Sequence, residues 1–164
     1  MKRIISVLVE NKAGVLSRTA GLFARRGFNI ESLAVGETED RSVSRMTIVA
    51  RGDERTLEQV EKQLNKQIDV IKVRMLPAET ATRRELVLVK VNADQQNRGG
   101  IIDIASILNA KIVDLSHTTL TVELCDRPEK VDLLLEMLTP YGIAEVARTG
   151  MVALQKGSEA IRMI

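Results

Sequence analysis

The chain is poor in the residues on which several common functions depend. Its 164 residues include one cysteine, one histidine, two phenylalanines, one tyrosine and no tryptophan. Cys125 alone cannot form an intramolecular disulfide, and together with His117 it cannot supply a cysteine-based zinc cluster. No stretch approaches the roughly 20 apolar residues that are needed to cross a bilayer. The apolar run at the N-terminus is too short for a secretory signal with a cleavage site. We therefore expect a cytoplasmic protein with no membrane partner.

The overall composition is that of an ordinary globular protein. Hydrophobic residues make up 45% of the chain and charged residues 28%, which argues against a disordered tail. The formal net charge of +2 is too small to indicate a polyanionic partner such as nucleic acid. The length allows one medium domain or two small ones.

Hydrophobic periodicity divides the first half of the chain into strand, helix, strand, strand, helix and strand. The predicted strands span 4–10, 29–35, 43–50 and 70–76. The apolar face of the first predicted helix is made of Leu16, Ala20, Phe23 and Ala24, and Gly27 follows as its C-cap. Asp53 caps the second predicted helix, whose apolar face is made of Leu57, Val60, Leu64 and Ile68. The first strand is apolar on both faces, so we expect it to be buried on both or covered by a partner.

The same order repeats in the second half. Strands are predicted at 85–91, 111–115, 120–125 and 143–148, and helices at 101–108 and 128–138. We therefore predict the α+β class, with two tandem ferredoxin-like βαββαβ domains at 1–77 and 84–164 and a linker at 78–83. The tail from Met151 has no strong pattern. Domains of this size have thin cores, which, with the two-faced first strand, favours an oligomer.

The connection from the first strand to the first helix is the most informative local feature. Asn11 and Gly14 lie on this turn, which points at a helix N-terminus, and Asn29 begins the next strand. Free backbone N–H groups at a helix N-terminus favour a carboxylate, while carboxamides can bind an ammonium or a carboxylate. Val15 and Ile30 offer apolar surface. Asn and Gly are also the commonest turn residues, but the combination predicts a receptor for a small amino acid.

The order βαββαβ is also that of an RNA-binding module whose central strands carry stacking aromatic residues. The corresponding strands here, 4–8 and 45–49, contain no aromatic residue. The three aromatic residues, Phe23, Phe28 and Tyr141, all lie elsewhere. The sequence therefore disfavours RNA binding by that mode.

Catalytic chemistry has little support in the sequence. A nucleophilic thiol needs a base and a lowered pKa, whereas Cys125 shares a strand face with Glu123. His117 lies in a polar loop and is interpreted as a solvated histidine. No nucleophile, base and acid occur in a pattern typical of a hydrolase.

A cation site is the other alternative at the first hairpin. Glu37, Glu39 and Asp40 lie close together in sequence, but Arg41 follows them directly. We interpret this stretch as a mixed polar loop, and we expect no metal site on this chain.

Several motifs, in this order and spacing, resemble those of the small regulatory subunits of acetolactate synthase, also called acetohydroxyacid synthase. The resemblance covers essentially the whole chain, and its first half is similar to an ACT domain, the amino-acid-sensing module of many metabolic enzymes. The motifs are Asn11-x-x-Gly14-x-Leu16-x-Arg18, Arg26-Gly27-Phe28-Asn29-Ile30-Glu31-Ser32-Leu33, Ser44-Arg45-Met46-Thr47, Glu61-Lys62-Gln63-Leu64, Arg84-Glu85-Leu86-x-Leu88-x-Lys90-Val91 and Glu145-x-Ala147-Arg148-Thr149-Gly150.

The resemblance implies a non-catalytic chain that forms a homodimer and acts on a separate large subunit. That subunit would carry thiamine diphosphate, magnesium and FAD, and this chain would raise its activity and confer feedback inhibition by valine. The resemblance implies that the effector site lies between paired ACT domains. Its residues would be Asn11, Gly14, Val15, Leu16, Asn29 and Ile30. The alternative is a stand-alone amino-acid sensor that regulates a different partner.

Overall fold

The structure is a computed structural model in which residues 1–161 are described. Within these residues, contacts group the chain into two units. The first contains Met1–Thr82 together with the described part of the segment that begins at Met151, and the second contains Arg83–Gly150. None of the helices in the described part of the chain is long and apolar enough to cross a membrane.

The first unit has the predicted order βαββαβ. Its elements are β1 (Lys2–Glu10), α1 (Val15–Arg25), β2 (Asn29–Glu37), β3 (Val43–Arg51), α2 (Glu54–Asn65) and β4 (Val70–Leu76). The strands form an antiparallel sheet in the order β2-β3-β1-β4. The strand β2 therefore lies at one edge, with β3 between it and β1.

Local sequence explains where the two helices of this unit begin and end. After α1, Gly27 has a φ of 68°, and the N–H groups of Gly27 and Phe28 donate to the carbonyls of Ala24 and Phe23. This pair of bonds is the Schellman motif, which favours glycine because the conformation is left-handed. At the start of α2, the side chain of Asp53 accepts a hydrogen bond from Thr56 N–H at 2.7 Å, as predicted.

The apolar faces of both helices differ in part from the prediction. The buried residues of α1 are Val15, Thr19, Leu22 and Phe23, whereas Leu16 is exposed. In α2 the predicted Leu57, Val60 and Leu64 are buried. Ile68 is 97% exposed, so its assignment to the core is wrong: α2 ends at Asn65, before its helical spacing reaches Ile68.

The strand β1 is buried on both faces within this chain, since residues Ile4 to Val9 are all buried. One face contributes to the main core with both helices. On the other face, Ile4 packs in a smaller cluster with Val49, Leu76, Ala81 and Ala153. Because the chain covers Ile4 itself, the two-faced strand does not by itself require a second copy.

The C-terminal segment supplies part of that smaller cluster. Residues Val152–Gln155 form an additional strand, β9, and Met151 N–H donates to Ser32 Oγ at 2.9 Å. The predicted second domain, 84–164, includes this segment, whereas contacts group the described residues from Met151 with the first unit. Residues 162–164 lie outside the described residues. The predicted linker at 78–83 contains a short 3-10 helix, Ala78–Thr80, and the start of the next strand.

The second unit repeats the ferredoxin-like order, so the predicted fold class is confirmed. Its elements are β5 (Ala81–Asn92), α3 (Arg98–Ile107), β6 (Lys111–Leu115), β7 (Thr119–Asp126), α4 (Pro128–Leu138) and β8 (Ile143–Arg148), with a 3-10 turn at Thr139–Tyr141. The sheet order is β6-β7-β5-β8. Val89, Val122, Ile101 and Leu134 are fully buried in its core.

Candidate effector-binding site

Asn11 directly follows β1 and is tied to the hairpin between β2 and β3. Its backbone N–H donates to the carbonyl of Ser42 at 2.7 Å. Its side-chain Nδ2 donates to Glu37 Oε1 at 3.1 Å and to the carbonyl of Arg41 at 2.9 Å. Both carboxamide hydrogens are thus used, and only Oδ1 is left to bind a ligand.

Gly14 caps α1 in a left-handed conformation, with φ 84° and ψ −7°, and no side chain caps the helix. Val15 N–H donates to the carbonyl of Lys12 over 3.4 Å, and Arg18 N–H makes the first intrahelical bond, to the carbonyl of Gly14. The N–H groups of Leu16 and Ser17 belong to the first turn, where a helix offers no backbone acceptor. These two donors, at the positive end of the helix dipole, favour a carboxylate.

Charged side chains surround this turn in matched pairs. Arg18 donates to Asp69 Oδ2 through Nε at 2.8 Å and through Nη2 at 2.6 Å. Lys12 pairs with Glu10 at 2.5 Å, and the hydrogen bond to that carboxylate raises the pKa of Lys12 above its usual range. The turn therefore carries two cations whose charges are balanced locally.

Asn29 lies at the opposite end of the sheet from Asn11. It starts β2 opposite Arg51, the last residue of β3, whereas Asn11 adjoins Ser42, which directly precedes β3. The eight residue steps along β3 correspond to about 26 Å. Because β3 also separates β1 from β2, Asn29 does not adjoin the turn within a single chain. Asn11 and Gly14 are brought together, and Asn29 is not.

The three apolar residues assigned to the site differ in their availability. Val15 is 3% exposed and belongs to the core. Ile30 is partly buried and packs against the same core. Leu16 is 45% exposed. Of the three residues, it therefore has the largest exposed fraction with which to contact a ligand or another chain.

Two charged residues at this turn were not among the predicted site residues. In the sequence, Arg18 belongs to the first family motif and Glu37 to the possible cation site. The hairpin register places Glu37 opposite Ser44, close to the backbone that Asn11 binds. Predicting that register from the strand bounds would have indicated Glu37.

The cation site itself is not formed. Asp40 accepts hydrogen bonds from the backbone and hydroxyl of Ser42, while Glu37 binds Asn11. Within the described residues, no group of three or more His, Cys, Asp or Glu side chains is placed to hold a metal ion.

The residues considered for other functions are accounted for by local structure. Cys125 is exposed at the end of β7. The backbone carbonyl of His117 accepts a hydrogen bond from Arg98. Phe23 and Phe28 meet edge to face, with their ring centroids 6.2 Å apart, at the core of the first unit. The central strands β1 and β3 carry no aromatic side chain, so this sheet does not offer the stacking surface of the RNA-binding module.

The first unit is ferredoxin-like with a glycine turn before its first helix, and its family match shows that it is an ACT domain. Residues 5–72 match the family described as the AHAS small subunit-like ACT domain. Residues 84–157 match the family described as the small subunit of acetolactate synthase.

Similar proteins with known assignments agree with these matches. A probable acetolactate synthase small subunit from Methanothermobacter thermautotrophicus is 54% identical over 159 residues, which are 96% of this chain and 95% of that protein. The acetolactate synthase small subunit of Mycolicibacterium smegmatis is 50% identical over 157 residues, which are 96% of this chain and 92% of that protein. The crystal structure of the acetolactate synthase small subunit from Thermotoga maritima matches with a TM-score of 0.89 and 38% identity, over 97% of this chain and 99% of that chain.

This chain belongs to the family of acetolactate synthase small subunits. The resemblance found in the sequence motifs is confirmed over both units. The family assignment supports the role of a regulatory subunit.

Proposed function

We propose that this chain binds the large subunit of an acetolactate synthase, raises its activity and makes it sensitive to valine. Valine is proposed to bind between the ACT domains of two copies of this chain. Thiamine diphosphate, magnesium and FAD are expected on the large subunit, and the proposal gives this chain no cofactor and no catalytic residue.

The observation that supports the proposal is that Asn11 and Asn29 lie at opposite ends of one sheet. The strand β2 is an edge strand of nine residues, and a long edge strand is a template for pairing with another chain. A two-fold axis near the middle of β2 would run two copies antiparallel. The Asn29 end of one copy would then lie beside the Glu37 end of the other.

Such a pairing assembles each site from two chains. One copy supplies Asn11 and the open N–H groups after Gly14, and its mate supplies Asn29. A two-fold dimer contains two identical sites of this kind. The position of Asn29 and the edge strand β2, rather than the two-faced β1, support this proposal of a second copy.

Inhibition follows from linkage between effector binding and activation. A ligand shifts an equilibrium only through its different affinities for the two states. Valine inhibits if the dimer conformation that activates the large subunit binds valine less tightly than the inactive conformation does. A coupling free energy of about 1–3 kcal/mol is ordinary for such a switch.

Titration calorimetry of the purified chain with valine tests the site, and light scattering gives the mass of the particle that binds. We expect a dimer with one equivalent of valine per chain and no comparable heat with glycine, which lacks the apolar side chain. Reconstitution with the large subunit should then give an enzyme that is more active than the large subunit alone and that valine inhibits. Failure of the large subunit to co-purify or to be activated would favour the stand-alone sensor.

A further inference from the structure

We propose that Glu37 binds the ammonium group of the effector and thereby makes the site select amino acids over carboxylic acids of the same shape. This inference rests on the proposed function, because it assigns a role within the site formed by Asn11 and Gly14. The ligands to be excluded are branched 2-oxo acids, which share the carboxylate and the side chain of a branched amino acid but carry no positive charge.

The position of Glu37 is fixed by its contact with Asn11. Glu37 is the last residue of β2, it is exposed, and its Oε1 accepts the hydrogen bond from Asn11 Nδ2 at 3.1 Å. A carboxylate has about four lone-pair sites, so Glu37 keeps acceptor capacity after this bond. The side chain is thus oriented by Asn11 without being saturated.

Glu37 takes no part in the ion pairs found among the described residues. Asp69 is paired with Arg18 and Glu10 with Lys12. Among the described residues, no lysine or arginine nitrogen lies within ion-pair distance of Glu37. Glu37 therefore adds a net negative charge beside a turn whose other charges cancel.

The two ends of the turn complement the two charges of an amino acid. The N–H groups of Leu16 and Ser17 lie at the positive end of α1 and suit a carboxylate. At the Asn11 end of the turn, the Glu37 carboxylate suits an ammonium, and Asn11 Oδ1 is a second acceptor because both hydrogens of that carboxamide are used. The turn thus has donors at its helix end and acceptors at its Asn11 end, as a zwitterion requires.

The test compares two ligands on matched variants. Glu37→Gln keeps an Oε1 acceptor for Asn11 and nearly the same size, but it removes the charge. Glu39→Gln is the control, since Glu39 is two residues further along and is also exposed. The purified dimers are titrated by calorimetry with valine and with 3-methyl-2-oxobutanoate, and the reconstituted enzymes are assayed for inhibition by valine.

We expect Glu37→Gln to weaken valine binding about 10- to 100-fold, the range for loss of one charge-assisted hydrogen bond. Binding of the oxo acid should stay the same or become tighter, so the preference for valine collapses. Glu39→Gln should behave as the wild type with both ligands. Glu37→Asp keeps the charge on a shorter side chain and should retain most of the preference.

Three results would overturn the inference, and the third would also overturn the proposed function. Unchanged valine binding in Glu37→Gln, with a wild type that binds valine, would exclude Glu37 and leave the proposed function standing. Equal weakening of both ligands would show that Glu37 only holds Asn11 in place. A wild type that binds no valine, alone or in the reconstituted enzyme, would overturn the proposed function together with this inference.

Discussion

Arg18 lies directly against Gly14: a Cβ atom at position 14 would be 2.8 Å from Arg18 Nη1. That guanidinium is held in place by Asp69, to which it donates twice. Gly14 also has a φ of 84°, where side chains other than glycine are disfavoured. Position 14 is therefore restricted by its own backbone and by the side chain one turn further along α1.

Gly14→Asp should abolish valine inhibition while leaving activation of the large subunit intact. A carboxylate at position 14 displaces Arg18 or pairs with it, and in either case takes the place of the carboxylate of valine. Two like charges about 4 Å apart cost roughly 4 kcal/mol at an effective dielectric of 20, which corresponds to several-hundredfold weaker binding. The left-handed backbone adds about 1–2 kcal/mol of strain. Inhibition assays and thermal unfolding measure both effects.

Gly99→Ala is the matched glycine control. A Cβ atom there would meet no other atom within 4 Å and the φ is not positive, so valine sensitivity should stay normal. If Gly14→Asp kept normal valine inhibition, the effector would bind elsewhere and the assignment of this turn would be wrong.

Asn29→His should also give an active enzyme that is insensitive to valine, because it removes the carboxamide that the mate contributes. A mixture of Gly14→Asp and Asn29→His chains tests the division of the site between copies. Each mixed dimer has one site with both changes and one intact site, so after random exchange about a quarter of all sites are intact. Calorimetry of the mixture should recover that fraction of valine binding.

One outcome of the mixing experiment would contradict the division of the site between copies. If exchange is verified by differently tagged chains and no binding returns, Asn29 does not act across the dimer. Mixing Gly14→Asp with wild-type chains gives the reference value for partial binding, because about half of the sites stay intact whether or not the subunits exchange.

The sequence predicted the bounds of several strands and helices well. It predicted which elements lie beside one another less well. Strands 70–76, 111–115 and 143–148 and helix 128–138 match the structure. Periodicity reports the buried face of that helix, on which Val131, Leu134 and Leu138 lie. It does not report the order of strands in a sheet, and that order is what separates Asn29 from Asn11. The strand β9 has only four residues, with one of them buried, which is too short for a pattern.

The α1 prediction shows a related limit. Leu16 and Ala20 are four residues apart, as are Val15 and Thr19, so both pairs fit one face of a helix. Hydrophobicity alone favours the face that contains Leu16. In the structure Val15 and Thr19 are buried and Leu16 is not. Hydrophobic spacing alone therefore does not decide which of these two faces of α1 is buried.

Asp53 should contribute stability that depends on pH. The hydrogen bond from Thr56 N–H holds the pKa of Asp53 below its usual range. A lowered pKa stabilises the folded state above the unfolded value near 3.9, and this contribution is lost as the pH falls through the folded pKa. Asp53→Asn still caps α2, so its melting temperature should fall less steeply than that of the wild type below about pH 4. Identical slopes in thermal unfolding from pH 5 to pH 2.5 would contradict this.

Cys125→Ser and His117→Ala should leave activation of the large subunit and its valine inhibition within about twofold. Cys125 is exposed, and Arg98 binds the backbone of His117 rather than its ring. Steady-state assays of the reconstituted enzyme measure both quantities. A tenfold loss with unchanged thermal unfolding would reveal a functional site at either residue.

The segment from Met151 packs with the first unit, and this packing limits where the chain can be divided into separate fragments. The first unit is not one contiguous stretch, because Met151 and Ala153 complete the apolar cluster around Ile4 and Leu76. A fragment that stops at Thr82 would keep both helices and the four-stranded sheet but would expose these side chains to water. Transplanting this ACT domain onto another enzyme therefore requires either both stretches of sequence or polar residues on that face of the sheet.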